Sequence, residues 1–317
     1  LVAIVNSFNR KELLERSIVS LTQALRTVSF GWGVVVFEAG SSDGSKEFVT
    51  TWSEENPGDN LVVVTPAAGH SCFSEGVNQA CATALERFPG CEWLFLYETD
   101  NWLASAEPVR QAISLLRARP ELAAAGFTVK RHNGDFCGYG MRFPSSVSLA
   151  LGLNLSVLWN LDRPNNSVWQ VTDGIRWRTC DVVFTSPLLV RRDAWEQTGG
   201  FDAETFPFSD SDLDWAWRCA KLGRQMAVIA SEEVVHDNLE RSSTWSANRV
   251  IEFHRSRLRL LKRHRGTRAA FVKPLLFVRH LVETILLTCK TRADPSVQGK
   301  LIKRQQMLRT VWSDYSS

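Results

Sequence analysis

Apolar residues fall along the first hundred positions in two alternating rhythms. Short unbroken apolar runs occupy residues 2–5, 33–37, 61–64 and 93–97. Between them Leu13, Leu14, Ile18, Leu21 and Leu25 recur at three- and four-residue steps, as do Phe48 and Trp52, and residues 74–88 carry a third such stretch. Runs of four or five apolar residues suit strands buried on both faces, whereas the wider spacing suits helices with one buried face. Four strand–helix alternations predict βαβ units and a parallel sheet, an α/β fold. Such sheets bind ligands at the carboxyl ends of their strands. The polar segments 6–10, 38–43, 67–72 and 98–101 are therefore where chemistry is expected. Helical spacing returns at Trp215, Trp217 and Leu222, stops at Gly223, and is followed by a strand at 226–230.

The ends of the chain add two expectations. Residues 1–5 are too short for the apolar core of a signal peptide, and polar Asn6 and Ser7 follow at once. A strand that opens on residue 1 leads us to expect native sequence ahead of it. Near the other end, the apolar stretch 269–289 is interrupted by Lys273, Pro274, Arg279, His280 and Glu283. Those residues exclude a standard membrane-spanning helix of about 20 apolar residues.

With 317 residues, 44% hydrophobic and 22% charged, the chain fits one large α/β domain with an appendage, or two modest domains. Its seven cysteines are scattered without a C-x-x-C pair. A zinc ribbon or a dense disulfide framework is excluded, and a reducing, cytoplasmic setting is expected. The net charge of +3 hides a division. Residues 255–317 hold 15 Lys/Arg against three acids, a net +12, and the first 254 hold 22 against 31, a net −9. Blocks such as Lys262-Arg263-His264-Arg265 lie beside apolar leucines, so 246–317 reads as a basic amphipathic helical region. Such a region is either a solvated helical face or a contact for an anionic membrane surface. Membrane contact is the favoured reading, with the protein peripheral on the inner face; nucleic acid is not expected, because no base-reading motif accompanies the charge.

The familiar phosphate loops G-x-G-x-x-G and G-x-x-x-x-G-K-[ST] are absent where they would matter, which disfavours NAD-dependent dehydrogenases and P-loop NTPases. Glu98 and Asp100, at i and i+2 in extended chain, can point the same way towards one divalent cation. Exposed turn acids are the plainer alternative. Asp210, Asp212 and Asp214 open a helical run, where acids also serve simply to complement the helix dipole. An EF-hand fails there, since Trp215 stands at the sixth position and Lys221 at the twelfth. His236 follows a strand, as a core histidine or a ligand. Twelve tryptophans are many, and core packing is the ordinary use of such rings.

Taken in order, these pieces resemble the inverting glycosyltransferases of family 2, with the GT-A fold, and in particular rhamnosyltransferase-like members that build bacterial surface polysaccharides. Val5-Asn-Ser-Phe-Asn-Arg10 resembles the opening strand and loop, and Glu38-Ala-Gly-Ser-Ser-Asp-Gly-Ser45 the loop whose leading acid contacts the nucleobase. Cys72-Phe-Ser-Glu-Gly-Val-Asn78 is similar to a Gly-Phe-x-x-Gly-x-Asn segment, with Cys72 for the first Gly. Tyr97-Glu-Thr-Asp100 stands where the family has a D-x-D variant. Gly199-Gly-Phe-Asp202 resembles a donor-side element, and Ser211-Asp-Leu-Asp-x-x-x-Arg218 a Glu-Asp-x-Asp-x-x-x-Arg helix start, with Ser211 for Glu.

The resemblance implies a GT-A domain over 1–245, with a nucleotide-binding half at 1–104 and an acceptor and catalytic half at 105–245. It implies Asp212 as the catalytic base, Asp100 and His236 as ligands of Mg²⁺ or Mn²⁺, and Asn6, Phe8, Arg10, Glu38, Asp43, Gly76, Asn78 and Glu98 on the donor side. Gly200, Asp214, Trp215 and Trp245 would face the acceptor. The implied substrates are a nucleoside-diphosphate sugar, such as dTDP-rhamnose or a UDP-sugar, and a glycan or lipid-linked acceptor. A nucleotidyltransferase, or a glycosyltransferase-like module that binds without turnover, are the alternatives.

Overall fold

A computed structural model describes residues 1–66, 72–131, 133–159, 167–236, 247–266, 271–291 and 294–313. The apolar runs form strands β1 (Val2–Ser7), β2 (Gly33–Glu38), β3 (Leu61–Val64) and β4 (Trp93–Leu96). The spaced stretches form α1 (Lys11–Leu25), α2 (Ser45–Glu55) and α3 (Phe73–Arg87). Then come β5 (Asn101–Leu103), α4 (Glu107–Ala118), β6 (Leu122–Phe127), β7 (Val129–Lys130), β8 (Phe136–Cys137) and α5 (Ser146–Leu158). They are followed by β9 (Gln170–Thr172), β10 (Ile175–Cys180), β11 (Leu188–Arg191), α6 (Arg192–Thr198), α7 (Ser211–Lys221), β12 (Gln225–Ile229) and β13 (Val234–His236). Helices α8 (Ala247–Arg265), α9 (Val272–Thr291) and α10 (Gln298–Ser313) end the described chain.

Nine strands form one sheet in the order β3-β2-β1-β4-β11-β6-β12-β10-β9. It is parallel from β3 to β4. Strand β11 then runs antiparallel to both of its neighbours, so β6 and β12 again point the same way as β1 and β4. The carboxyl ends of β1, β2, β4, β6 and β12 therefore share one edge. A second sheet has the order β5-β13-β7-β8, with β5 and β7 following β4 and β6 in the chain.

The buried faces of α1 and α4 pack with Phe95, Phe127 and Trp177 in the main core. Helix α3 lies against β1 and β2. It approaches closely because Gly76 has no side chain: a Cβ there would come within 2.7 Å of the Phe37 ring and 2.9 Å of Asn6 Nδ2. Gly76, expected on the donor side, is thus a packing residue beneath it.

The chain divides into two compact units, Leu1–Met141 with Pro164–Leu239, and Arg142–Arg163 with Glu240–Ser317. The second unit contains α5 and α8 to α10. Within it α9 packs on α10 and α5, and α10 on α8.

Candidate active site

Strand β4 stops at Leu96, and the Asn101 amide closes a turn onto the Glu98 carbonyl (3.1 Å). Strand β5 then pairs antiparallel with β13, placing Asn101 opposite His236. Sheet register, not proximity in sequence, thereby carries His236 to the acids after β4. Its Nδ1 lies 3.5 Å from Asp100 Oδ1, 3.1 Å from Asn101 Oδ1 and 3.1 Å from Ser186 Oγ. Asn101 in turn donates to Ser186 Oγ at 2.8 Å.

Asp100 is only 3% exposed, yet its Oδ1 accepts no hydrogen bond from the described residues. Its Oδ2 faces the Arg10 guanidinium at 3.7 Å. A buried carboxylate oxygen left this way is costly unless something further completes it. Glu98 is pushed up to about 7, first by burial and then by the nearby charge of Asp100, against a hydrogen bond from Thr185 Oγ1 (2.7 Å). The charge of Asp212, at the start of α7, pushes it in the same direction.

At that helix start the three acids part company. Asp214 is fully buried and paired with Arg218 Nε at 2.8 Å. Arg218 also donates to the Gly200 carbonyl (2.7 Å) and to that of Thr198, tying α7 to the Gly199-Gly200 turn. Asp210 sits before the helix at φ 63° and its carbonyl accepts the Asp214 amide (2.8 Å). Asp212 is half-buried, with Oδ1 on the Leu213 amide (2.9 Å).

Two of the residues expected on the acceptor side are buried in packing contacts. Asp214 is consumed by Arg218. Trp215 is 1% exposed, donates to Thr198 Oγ1 at 2.7 Å and packs on Trp195 with ring centroids 6.0 Å apart, so its face is closed to a sugar. Trp245 lies outside the described residues. Gly200 has φ 73°, and a Cβ there would sit 2.8 Å from Asn78 Oδ1.

Most donor-side residues hold loops in shape. The Glu38 carboxylate, fully buried, accepts the amides of Ser41 (2.8 Å) and Gly40 (3.1 Å). Asp43 accepts the Ser45 hydroxyl (2.6 Å) and amide and the Lys11 amide (2.8 Å), which hold it below the usual carboxylate range. Asn6 donates to the Phe73 carbonyl (3.0 Å). Asn78 makes two bonds to the Phe201 backbone, at 2.8 and 2.9 Å. Phe8, 56% exposed, and Arg10 offer open surface.

Sequence reasoning passed over Thr185 and Ser186, and held Asn101 within the segment 98–101 without giving it a role. Thr185 and Ser186 lie in the distant β10–β11 connection, where nothing local marks them. Among the described residues no group of three His, Cys, Asp or Glu is arranged to hold a metal. Asp100 Oδ1, which accepts no hydrogen bond from the described residues, and the neighbouring His236 ring are nevertheless a hard oxygen and an imidazole, donor types that suit Mn²⁺ or Mg²⁺.

No protein-family model matches the chain. Over 265 residues it is 26% identical to an N-acetylglucosaminyl-diphospho-decaprenol L-rhamnosyltransferase of Mycobacterium tuberculosis, covering 80% of this chain and 81% of that one. Among solved structures it is similar to the mannosyltransferase PcManGT from Pyrobaculum calidifontis in complex with GDP-Man and Mn²⁺, with TM-score 0.56, 16% identity, and 99% of this chain and 81% of that chain covered. It is also similar to residues 1–349 of S. aureus TarS in complex with UDP-GlcNAc, with TM-score 0.54, 13% identity and coverage of 99% and 80%. The fold is that of the GT-A glycosyltransferases, and the resemblance drawn from the motifs is borne out. The chain is a glycosyltransferase.

Proposed function

We propose that this glycosyltransferase is metal-dependent and inverting, and moves a sugar from a nucleoside-diphosphate donor, dTDP-rhamnose or a UDP-sugar, to a glycan or lipid-linked acceptor in cell-surface polysaccharide synthesis. The observation that carries the reading is the placing of His236 3.5 Å from Asp100, just past β4 and beside Glu98, with Asp100 Oδ1 accepting no hydrogen bond from the described residues. The name of the mycobacterial relative supports a lipid-diphosphate acceptor, and the complexes with GDP-Man and UDP-GlcNAc support a nucleotide-sugar donor.

Asp100 and His236 would hold the cation. When bound, Mn²⁺ or Mg²⁺ neutralises charge developing on the leaving diphosphate. The network of Asn101 and Ser186 around Nδ1 fixes the His236 ring, and Arg10 sets a positive charge beside Asp100. Asp212, the acid of α7 that is half open, takes the proton of the acceptor hydroxyl as that oxygen attacks the anomeric carbon from the face opposite the leaving group. Asp43, Glu38 and Asn78 keep the surrounding loops in place.

Release of free nucleoside diphosphate, with Mn²⁺ and a panel of nucleotide sugars, tests the reading. Release that depends on an acceptor supports it. Diphosphate chemistry on the nucleotide itself would mark a nucleotidyltransferase, and binding without release a non-catalytic module; either result defeats the proposal.

A further inference from the structure

Helix α9 is built the wrong way round for a helix in water. Its Arg279, His280 and Glu283 are engaged within the unit: Arg279 pairs with Glu283 at 3.2 Å along the helix, Arg304 of α10 reaches Glu283 at 2.7 Å, and Arg304 donates to His280 Nδ1 at 2.9 Å. Arg279 also donates to the Leu149 carbonyl of α5 and occupies the space left by Gly152. The face turned outward is apolar. Phe271, Leu275, Val278, Val282, Ile285 and Leu286 are between 48% and 72% exposed. At 3.6 residues per turn they fall within one arc of roughly 100°, along a helix about 30 Å long, and Lys273, Arg279, Glu283 and Lys290 all fall outside it. Leu158 at the end of α5 in the same unit, and Trp159 just after it, are exposed as well (73% and 59%).

A soluble helix shows the opposite partition, and an exposed apolar surface of this extent marks a place where something docks. No helix among the described residues is long and apolar enough to cross a membrane. The charge of the region selects the occupant. Residues 255–317 carry a net +12, with Lys262, Arg263 and Arg265 exposed at the end of α8. Pairing this face with a second copy would bring +12 against +12, whereas an anionic bilayer complements it.

We propose that α9 lies in the plane of an anionic lipid surface with this face inserted among the acyl chains, the surrounding lysines and arginines meeting the headgroups. The basic region is then the rim of the contact and α9 its centre. The inference rests on the proposed reading that the acceptor is carried on a lipid, and it names the surface that brings the enzyme to it.

The test is sedimentation of the full chain with phosphatidylglycerol-containing and pure phosphatidylcholine vesicles, for the wild type and the V278D/I285D variant. The wild type is expected to bind the anionic vesicles, and the variant to bind at least about tenfold more weakly, since each aspartate removes inserted apolar surface. Unchanged binding by the variant overturns the proposal. Cys289, an exposed thiol on the same face, supplies a second readout: an environment-sensitive dye on it should brighten when vesicles are added. No change with vesicles, or brightening with protein concentration alone, which would signal self-association, also overturns it. Nucleoside-diphosphate release on a water-soluble acceptor, measured on the same samples, tests the catalytic reading separately. Vesicle binding without turnover defeats only that reading, and turnover without vesicle binding defeats only the docking face.

Discussion

Two groups of acids look alike as sequence, Glu98 with Asp100 after β4 and Asp210, Asp212 and Asp214 at the start of α7. The structure treats them differently. Asp214 is fully buried and fully answered, by an arginine that also clamps two carbonyls of the preceding turn. Asp100 is buried to nearly the same degree, yet one of its oxygens has no hydrogen bond from the described residues and the neighbouring Glu98 is pushed up to about 7. A satisfied buried acid holds the fold, whereas an unsatisfied one waits for something the fold does not supply. Counting the donors around each carboxylate therefore separates scaffold from chemistry better than its place in a motif. Asp212 stands between the two cases, half open beside both groups.

Substitutions can break this comparison, and the largest effect is expected at Asp212. D212N should lower turnover about 10²–10⁴-fold while donor affinity stays close to wild type, because a positioned base acts on the acceptor proton alone. Steady-state rates alongside donor titration check it, and a variant that keeps most of its activity removes Asp212 from the base role. At the satisfied acid, D214A should cost roughly 3–5 kcal/mol in denaturant unfolding by stranding Arg218. At the unsatisfied one, D100A should leave unfolding nearly unchanged but abolish the dependence of donor binding on Mn²⁺. If D100A is the destabilised variant and D214A is not, the division drawn here is wrong. N78A, which removes both bonds to the Phe201 backbone, should cost an intermediate amount, about 1–3 kcal/mol.

The sheet was legible where burial alone decides structure. Runs at 2–5, 33–37, 61–64 and 93–97 became β1 to β4 within a few residues, because an apolar run flanked by polar loops has few other ways to be buried. The insertion of β11 between β4 and β6 was not legible, since partner choice in a sheet is a long-range matter with no local mark. The same limit hid Thr185 and Ser186, whose partners are 87 and 50 residues away. In α9 the reading stopped for another reason. The charges at 273, 279 and 283 interrupt a linear apolar stretch, and only the folded helix shows that Arg279 and Glu283 are engaged within the unit and that all three lie off the outer face.

Trp215 offers the finest test, because its motif position points to substrate and its burial points away. Its indole N–H is held by Thr198 Oγ1 at 2.7 Å, and that hydroxyl itself donates to the Ala194 and Trp195 carbonyls. W215F therefore removes one hydrogen bond and some ring volume without orphaning the Thr198 proton. A loss of about 1–2 kcal/mol in stability is expected, from the bond and the small void together. The KM for acceptor should not move, since a ring that is 1% exposed presents no face to a sugar. A rise in that KM with stability and kcat intact would mean that the Trp195–Trp215 pair opens in the working enzyme. The burial seen here would then describe a resting arrangement of the acceptor side, and α7 would hold a sugar platform as well as the base.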